Sequence, residues 1–138
     1  MAAHNEFGAW GEQVAEEYLR HKGYSILERD WHYGHKDLDI VAYEDDTQTL
    51  VIVEVKARHT EAVSTALQAV SYQKEKNMIR AAFAFARSTG HFFPNIRFDV
   101  ITIVGSKTDY KLEHYPGIIK PGAQGKRMID GWKLRITP

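Results

Sequence analysis

A chain of 138 residues, of which 43% are apolar and 26% charged, is long enough to bury one hydrophobic core and too short for two. It contains no cysteine, which excludes disulfide bonds, thiolate metal sites and cysteine nucleophiles. We find neither a signal-peptide pattern nor an apolar run long enough to span a bilayer, so we expect a cytoplasmic protein with no membrane partner.

The charges are unevenly distributed although the formal net charge is zero. Residues 1–55 hold twelve acidic and four basic residues, whereas residues 56–138 hold six acidic and fourteen basic ones. One interpretation is an acidic site beside a basic binding surface. The other is that the charges intermix once the chain folds, because distance along a sequence is not distance in space.

The apolar periodicity and the turn residues predict the order helix, three strands, helix, two strands. The expected helices span 7–21 and 66–87, and the expected strands span 24–31, 38–44, 49–57, 96–104 and 110–115. This order predicts an α/β fold, a three-layer-like sandwich with a central mixed β-sheet flanked by helices. From Pro116 onward we expect a partly ordered segment, with the domain over 1–120 and a basic tail over 121–138.

The third predicted strand carries the strongest chemical signal. Side chains alternate between the two faces of a strand, so Glu54 and Lys56 share one face of an otherwise apolar segment. Burying a carboxylate and an ammonium group requires partners, which are either each other or a metal ion and a phosphate. The alternative is a solvated ion pair on an exposed sheet surface, because Glu-x-Lys is common there.

Asp39, on the preceding strand, is expected near Glu54 if the two strands form a hairpin. Two converging carboxylates repel each other unless a cation lies between them, and oxygen ligands without thiolates favour Mg²⁺ or Mn²⁺. Asp39 and Glu54 would hold the metal, with the backbone carbonyl of Val55 as a third ligand. Lys56 would orient the attacking water or offset negative charge during phosphodiester hydrolysis.

A series of short motifs extends this interpretation beyond one strand. They are Gly8-x-x-Gly11-Glu12, Tyr18-Leu19, Gly23-Tyr24-x-Ile26-Leu27, Trp31, Asp37-Leu38-Asp39-Ile40, Val53-Glu54-Val55-Lys56, Ala69-Val70 with Lys74, and Arg97-Phe98-Asp99-Val100. In combination, over about residues 5–120, the chain resembles the YraN family of small uncharacterised proteins. That family is similar to PD-(D/E)xK endonucleases and Holliday junction resolvases. The resemblance implies a restriction-endonuclease-like core with Asp39, Glu54 and Lys56 at its site.

The resemblance also implies roles for residues outside the central strands. Glu12 matches the Gly-Glu of the first helix and is expected to lean toward the metal, although a solvent-facing glutamate is the alternative. Lys74 matches a helix lysine expected to contact phosphate, and we add Lys36 and Arg58 as nucleic-acid-binding candidates. The sequence departs from the family at Lys36-Asp37, where Gly-Glu is usual, which bears on substrate preference.

Three functions follow from these observations. The first is a metal-dependent endonuclease for DNA, preferred to RNA, in branched or single-stranded form. The second is a catalytically silent nucleic-acid-binding module, and the third is an interaction scaffold in which the carboxylates only pair with Lys56. A homodimer would suit an enzyme that cuts two strands, but no sequence feature shows one.

Histidines 32, 35 and 59 match no metal motif, and Tyr33, Phe92 and Phe93 could stack on unpaired bases.

Overall fold

The computed structural model describes residues 2–61 and 65–121. The elements, in chain order, are helix α1 (Ala2–His21), strands β1 (Ser25–Tyr33), β2 (Lys36–Glu44) and β3 (Thr49–Arg58), a 3₁₀ turn (Leu67–Ala69), helix α2 (Tyr72–Thr89), and strands β4 (Asn95–Ser106) and β5 (Asp109–Ile119). The predicted order of helices and strands is confirmed.

The five strands form one mixed sheet in the order β1-β2-β3-β4-β5. Neighbouring strands are antiparallel except β3 and β4, which are parallel over the whole register from Thr49–Asn95 to Arg58–Val104. A parallel pair needs a long crossover connection, and α2 lies within it. Helices on both faces of this sheet make the α/β sandwich expected of a restriction-endonuclease-like core.

Each face of the sheet has its own hydrophobic core. Leu50 and Ile52 of β3 pack against α2 through Met78 and Ile79. On the opposite face Val51, Val53 and Val55 pack against α1, with contributions from the following side chains: Ala15, Leu19, Ile40, Ala42, Ile101 and Ile103. The predicted alternation of β3 is therefore confirmed, and it places β3 at the centre of the fold.

The second helix begins later than predicted. A continuous helix from residue 66 is wrong, because Val70 and Ser71 are extended and separate the 3₁₀ turn from α2. Ser71 caps α2 by accepting the backbone N–H of Lys74, which fixes the first turn of the helix. Gly90, with a φ of 71°, ends the helix as expected.

The irregular segment also begins later than predicted. Strand β5 continues through Pro116 to Ile119, and the backbone N–H of Gly117 donates to the Asp99 carboxylate at 2.8 Å. The start of the tail at Pro116 is therefore wrong, because a buried acceptor holds this part of the chain in the sheet. The tail over 122–138 lies outside the described residues. Neither α1 nor α2 is long and apolar enough to cross a membrane.

Candidate metal centre

Asp39 and Glu54 lie side by side where strands β2 and β3 stop pairing. The last paired residues at this end are Ile40 and Val53. Beyond them Asp39 Oδ2 accepts the backbone N–H of Val55 at 2.9 Å, so a carboxylate takes the place of a strand carbonyl. The Asp39 and Glu54 carboxyl groups are close enough to shift each other's pKa. The structure thus brings together the two acids that the sequence placed on a hairpin.

Glu54 is buried and only partly satisfied. Its exposed fraction is 2%, and Oε1 has no hydrogen-bond partner among the described residues. Lys74 Nζ lies 3.8 Å from Oε2, which is an ion pair without hydrogen-bond geometry. An exposed Glu54–Lys56 pair on a solvated sheet is therefore wrong, because Glu54 is enclosed on the α2 face. A buried carboxylate oxygen without a donor is costly unless a cation binds it.

Two further carboxylates converge on Asp39 from other elements. Glu12 of α1, Asp30 of β1 and Asp39 each place a carboxylate oxygen within 4.8 Å of the other two. Glu12 can approach the sheet because Gly11 packs directly on it. A Cβ at Gly11 would lie 2.7 Å from the Cβ of Ala57, closer than side chains tolerate. The absence of a side chain at Gly11 thus allows α1 to carry Glu12 to the strands.

The position of Asp30 depends on a break in strand geometry. Leu38 packs in the α2-side core, whereas Ile40 packs in the α1-side core, so the alternation of β2 is interrupted at Asp39. Asp30 lies across from it on β1 and has a φ of 50°, in the left-handed region. Aspartate tolerates that region better than most residues. The break directs both carboxylates to the same point.

The cluster is electrostatically strained without a cation. Burial, followed by the charge of Asp39, raises the pKa of Glu54 to about 8, against the attraction of Lys74 and Lys56. Burial, a hydrogen bond with Asp30 and the charge of Asp39 raise the pKa of Glu12 to about 8. Burial also raises the pKa of Asp39, although the Val55 N–H and Lys74 oppose it. Three acids with raised pKa values fit a hard divalent cation, whose charge removes their repulsion.

One arginine already offsets part of this negative charge. Arg29 lies 3.7 Å from Glu12 and 3.0 Å from Glu16, and its charge lowers the pKa of Glu12. Glu16 also pairs with Arg20, whose hydrogen bonds are the largest cause of its lowered pKa. Arg29 therefore lies at the α1 side of the cluster and forms no ion pair with Asp39 or Glu54.

The remaining predicted site residues occupy two separate clefts. Val55, Lys56 and Arg58 line an open cleft of about 630 Å³ beside Phe7 and Gly8. Lys36 lines another cleft, of about 320 Å³, on the α2 side of the β1–β2 turn. Lys74 lies at the carboxylates themselves, and so it is a counter-charge of Glu54 in the structure.

The histidines make local contacts in the structure. His32 Nδ1 lies 2.6 Å from Asp37 Oδ1, and the ring of His59 stacks on Phe7 with centroids 3.9 Å apart. His35 is exposed in the turn between β1 and β2. None of the three belongs to the carboxylate cluster found among the described residues.

The Arg97-Phe98-Asp99-Val100 motif forms a second polar cluster, separate from the carboxylates. Asp99 is fully buried and accepts hydrogen bonds from Arg97 at 2.9 Å, from His114 at 2.7 Å and from the Gly117 N–H at 2.8 Å. Tyr18 bonds the other nitrogen of His114 at 3.0 Å. Burial raises the pKa of Asp99, but these hydrogen bonds outweigh it and hold the pKa below its usual value. This cluster ties α1 to β4 and β5 and is fully satisfied.

Sequence reasoning missed Asp30 and Arg29. The available signal was the turn at Gly34-His35, which pairs Tyr33 with Lys36 and so fixes the register of the hairpin. Counting back from that turn places Asp30 across from Asp39. The left-handed backbone of Asp30 has no comparable signal in the sequence.

Comparison with known proteins identifies the family. The model of UPF0102, an uncharacterised protein family, matches residues 11–103. The chain belongs to family UPF0102. The UPF0102 protein of Phocaeicola vulgatus is 44% identical over 115 residues, covering 83% of this chain and 92% of the relative. That of Syntrophomonas wolfei is 42% identical over 109 residues, covering 79% and 93%.

Membership of UPF0102 confirms the resemblance to the YraN family and leaves the reaction open. The matched region begins at Gly11 and ends at Ile103, so it contains all four carboxylates and both lysines of the candidate centre. The family description assigns no activity, metal or substrate. Function therefore has to be argued from the site.

Proposed function

We propose that this UPF0102 chain is a metal-dependent endonuclease that hydrolyses phosphodiester bonds of DNA. The observation that carries the proposal is the enclosed Glu54 carboxylate, whose Oε1 has no hydrogen-bond partner within 2–61 and 65–121 and which has Asp39 beside it. Neither Lys56 nor Lys74 makes a close ion pair that would neutralise both acids. A divalent cation would offset the repulsion between the Asp39 and Glu54 carboxylates. A purely structural role leaves the two carboxylates repelling one another.

The donor set favours Mg²⁺ or Mn²⁺. The cluster of Glu12, Asp30 and Asp39, with Glu54 beside Asp39, offers only oxygen, which hard cations prefer, and the chain contains no cysteine thiolate. The backbone carbonyl of Val55 remains a further proposed ligand. When bound, such a cation lowers the pKa of a coordinated water and stabilises negative charge on a phosphoryl group.

Lys56 and Lys74 supply positive charge beside the carboxylates. Lys56 attracts Glu54 and also lines the open cleft with Arg58, so it faces both the acids and the solvent side from which DNA would enter. We assign to Lys56 the orientation of the attacking water and the stabilisation of developing negative charge. We assign to Arg58 the binding of a phosphate in the same cleft, and the charge of Lys74 favours the ionised form of Glu54.

A silent DNA-binding module is the second candidate, favoured by one observation. Arg29 lies 3.7 Å from Glu12 and so offsets part of the charge that a metal would offset. If the charge of Arg29 is sufficient to offset the carboxylates, the site needs no metal, and the basic clefts bind DNA without cleaving it. The two candidates differ in their response to divalent cations.

The test is cleavage of single-stranded and four-way-branched DNA with Mg²⁺, with Mn²⁺ and with a chelator. We expect metal-dependent cleavage that Glu54→Gln and Asp39→Asn each abolish. Glu113→Gln is the matched control, since Glu113 is exposed on β5, where it contacts Lys111 and Tyr115 and lies outside the carboxylate cluster. Cleavage retained in Glu54→Gln would reveal a contaminating nuclease and remove the support for the proposal. DNA binding without metal-dependent cleavage would favour the silent module.

A further inference from the structure

A second, smaller cleft lies on the α2 face of the sheet and is lined by basic and aromatic side chains. We name it the tyrosine–arginine cleft, after its lining residues: Tyr33, Lys36, Arg80, Phe83 and Arg87. Its volume is about 320 Å³, and it lies between the β1–β2 turn and α2. The carboxylates of the metal centre do not line it.

The cations of this cleft are available to a ligand. Lys36, Arg80 and Arg87 form no ion pair with any carboxylate in 2–61 or 65–121, and both arginines are exposed. The neighbouring acid, Asp37, is bonded to His32 at 2.6 Å. Three unpaired cations around one cleft produce a local positive potential that suits phosphate groups.

The aromatic ring of Tyr33 is exposed and held in place. Its exposed fraction is 48%, and its ring lies within 5° of parallel to that of Trp31, with centroids 6.4 Å apart. Trp31 is fixed in turn by an edge contact with Phe85 of the α2-side core, at 5.3 Å and 89°. A base that stacks on Tyr33 would meet a ring whose orientation is already set, which lowers the entropy cost of binding.

The cleft lies a short distance from the metal centre. Lys36 precedes Asp39 by three residues along β2, which corresponds to roughly 10 Å. Arg80 follows Lys74 by six residues along α2, which corresponds to roughly 9 Å. Successive nucleotides of one B-DNA strand rise about 3.4 Å, and an unpaired strand is more extended, so this separation is at most about three nucleotides. One strand could therefore reach both sites.

We propose that the tyrosine–arginine cleft binds an unpaired stretch of DNA within about three nucleotides of the bond at the metal centre. Tyr33 stacks on a base, and Lys36, Arg80 and Arg87 contact the phosphates on either side. A paired base presents no free face to Tyr33, so the cleft selects single-stranded segments or strand junctions over continuous duplex. This inference rests on the proposed nuclease function and specifies its substrate.

The experiment measures DNA binding by fluorescence anisotropy in a chelator, so that no cleavage occurs. The probes are a labelled single-stranded oligonucleotide and the duplex of the same sequence. We expect the single strand to bind more tightly, and Tyr33→Ala to weaken it by at least about five-fold while Tyr33→Phe retains most of the affinity. Tyr110→Ala is the matched control, since Tyr110 is 43% exposed on the β4–β5 hairpin.

The arginines are tested by the salt dependence of the same binding. Each phosphate contact on a single strand contributes about 0.7 to the slope of log affinity against log salt concentration. Arg80→Ala combined with Arg87→Ala removes two such contacts and should therefore reduce the magnitude of the slope by about 1.4. Lys107→Ala with Lys111→Ala, exposed lysines of the β4–β5 hairpin, should leave the slope unchanged. Wild-type affinity and slope in the Tyr33 and arginine variants would overturn the inference.

The two proposals fail in distinguishable ways. If divalent cations stabilise the protein and the Tyr33 variant binds DNA normally, the cleft assignment is wrong and the metal centre stands. If cations have no effect but single-strand binding still requires Tyr33 and the arginines, the cleft stands and the nuclease proposal is wrong.

Discussion

Asp30 and Asp39 face each other across strands β1 and β2, at the point where β2 changes the face to which its side chains point. The backbone of Asp30 is left-handed, with a φ of 50°. A regular hairpin would place neighbouring residues of each strand alternately on opposite sides of the sheet. The irregularity instead brings carboxylates from α1, β1 and β2 to one point, within 4.8 Å of one another. Unfavourable backbone conformations of this kind cluster at functional sites.

Asp30→Asn tests whether this residue belongs to the metal centre. Asparagine tolerates the left-handed backbone, so the fold should be kept while one negative charge is lost. We expect Mg²⁺ affinity to fall by about ten-fold, because ligand charge sets the affinity of oxygen sites. Isothermal titration calorimetry measures it, with Asp45→Asn in the exposed β2–β3 turn as the control. Equal affinity in both variants would place Asp30 outside the centre.

Glu54→Gln should stabilise the metal-free protein at neutral pH. The pKa of Glu54 is raised to about 8 by burial and by Asp39, so a neutral amide of the same shape relieves that cost. We expect the free energy of unfolding in urea to rise by about 1 kcal/mol, since one pKa unit corresponds to about 1.4 kcal/mol. A loss of several kcal/mol would instead show that Glu54 and Lys74 form a structural ion pair.

The metal-free protein should lose stability as the pH rises from about 5 to 8. Glu12 and Glu54 have folded-state pKa values raised from 4.5 to about 8. Between pH 4.5 and about 8 the folded state holds protons that the unfolded state has released. The free energy of unfolding therefore falls as the pH rises through this range, and the contribution of these protons is lost once the pH passes about 8. Urea unfolding at each pH measures the effect. Glu54→Gln should show a shallower decline, and an identical decline in both proteins would contradict the account.

Gly11→Ala should destabilise the protein, whereas Gly8→Ala should not. A Cβ at Gly11 would lie 2.7 Å from the Cβ of Ala57, and overpacking of this kind costs about 1–3 kcal/mol. A Cβ at Gly8 meets nothing within 4 Å, so alanine there gains up to about 1 kcal/mol of helix propensity. Thermal unfolding compares the two. Gly11→Ala should also weaken metal binding, because it pushes Glu12 away from the strands.

The fold was largely predictable because its signals are local. The apolar alternation of β3, the glycine after α2 and the turn residues between strands each specify an element without reference to distant residues. The two errors have different causes. The Asp99 carboxylate, 18 residues away in sequence, holds Gly117 in β5. The start of α2 is set by a local cap at Ser71, although the helical apolar period begins before it.

The candidate site was predictable in part. Asp39 and Glu54 are embedded in apolar strands, and embedded carboxylates are conspicuous in a sequence. Asp30 is not conspicuous, because Glu28-Arg29-Asp30 reads as an ordinary polar stretch of an edge strand. Its role depends on hairpin register and on a left-handed backbone, which are properties of the folded chain. The pairing of Lys74 with Glu54 likewise requires the packing of α2 on the sheet.

The most direct test of the central claim is thermal unfolding of the wild type and Glu54→Gln across a titration of Mg²⁺ and of Mn²⁺. A metal that binds only the folded state stabilises it by about 2.7 kcal/mol at a hundred times its dissociation constant. We predict a saturable rise in the wild-type Tm that is absent in Glu54→Gln and retained in Glu113→Gln. No rise with either metal, repeated with a short single-stranded DNA present, would contradict a metal centre at Asp39 and Glu54.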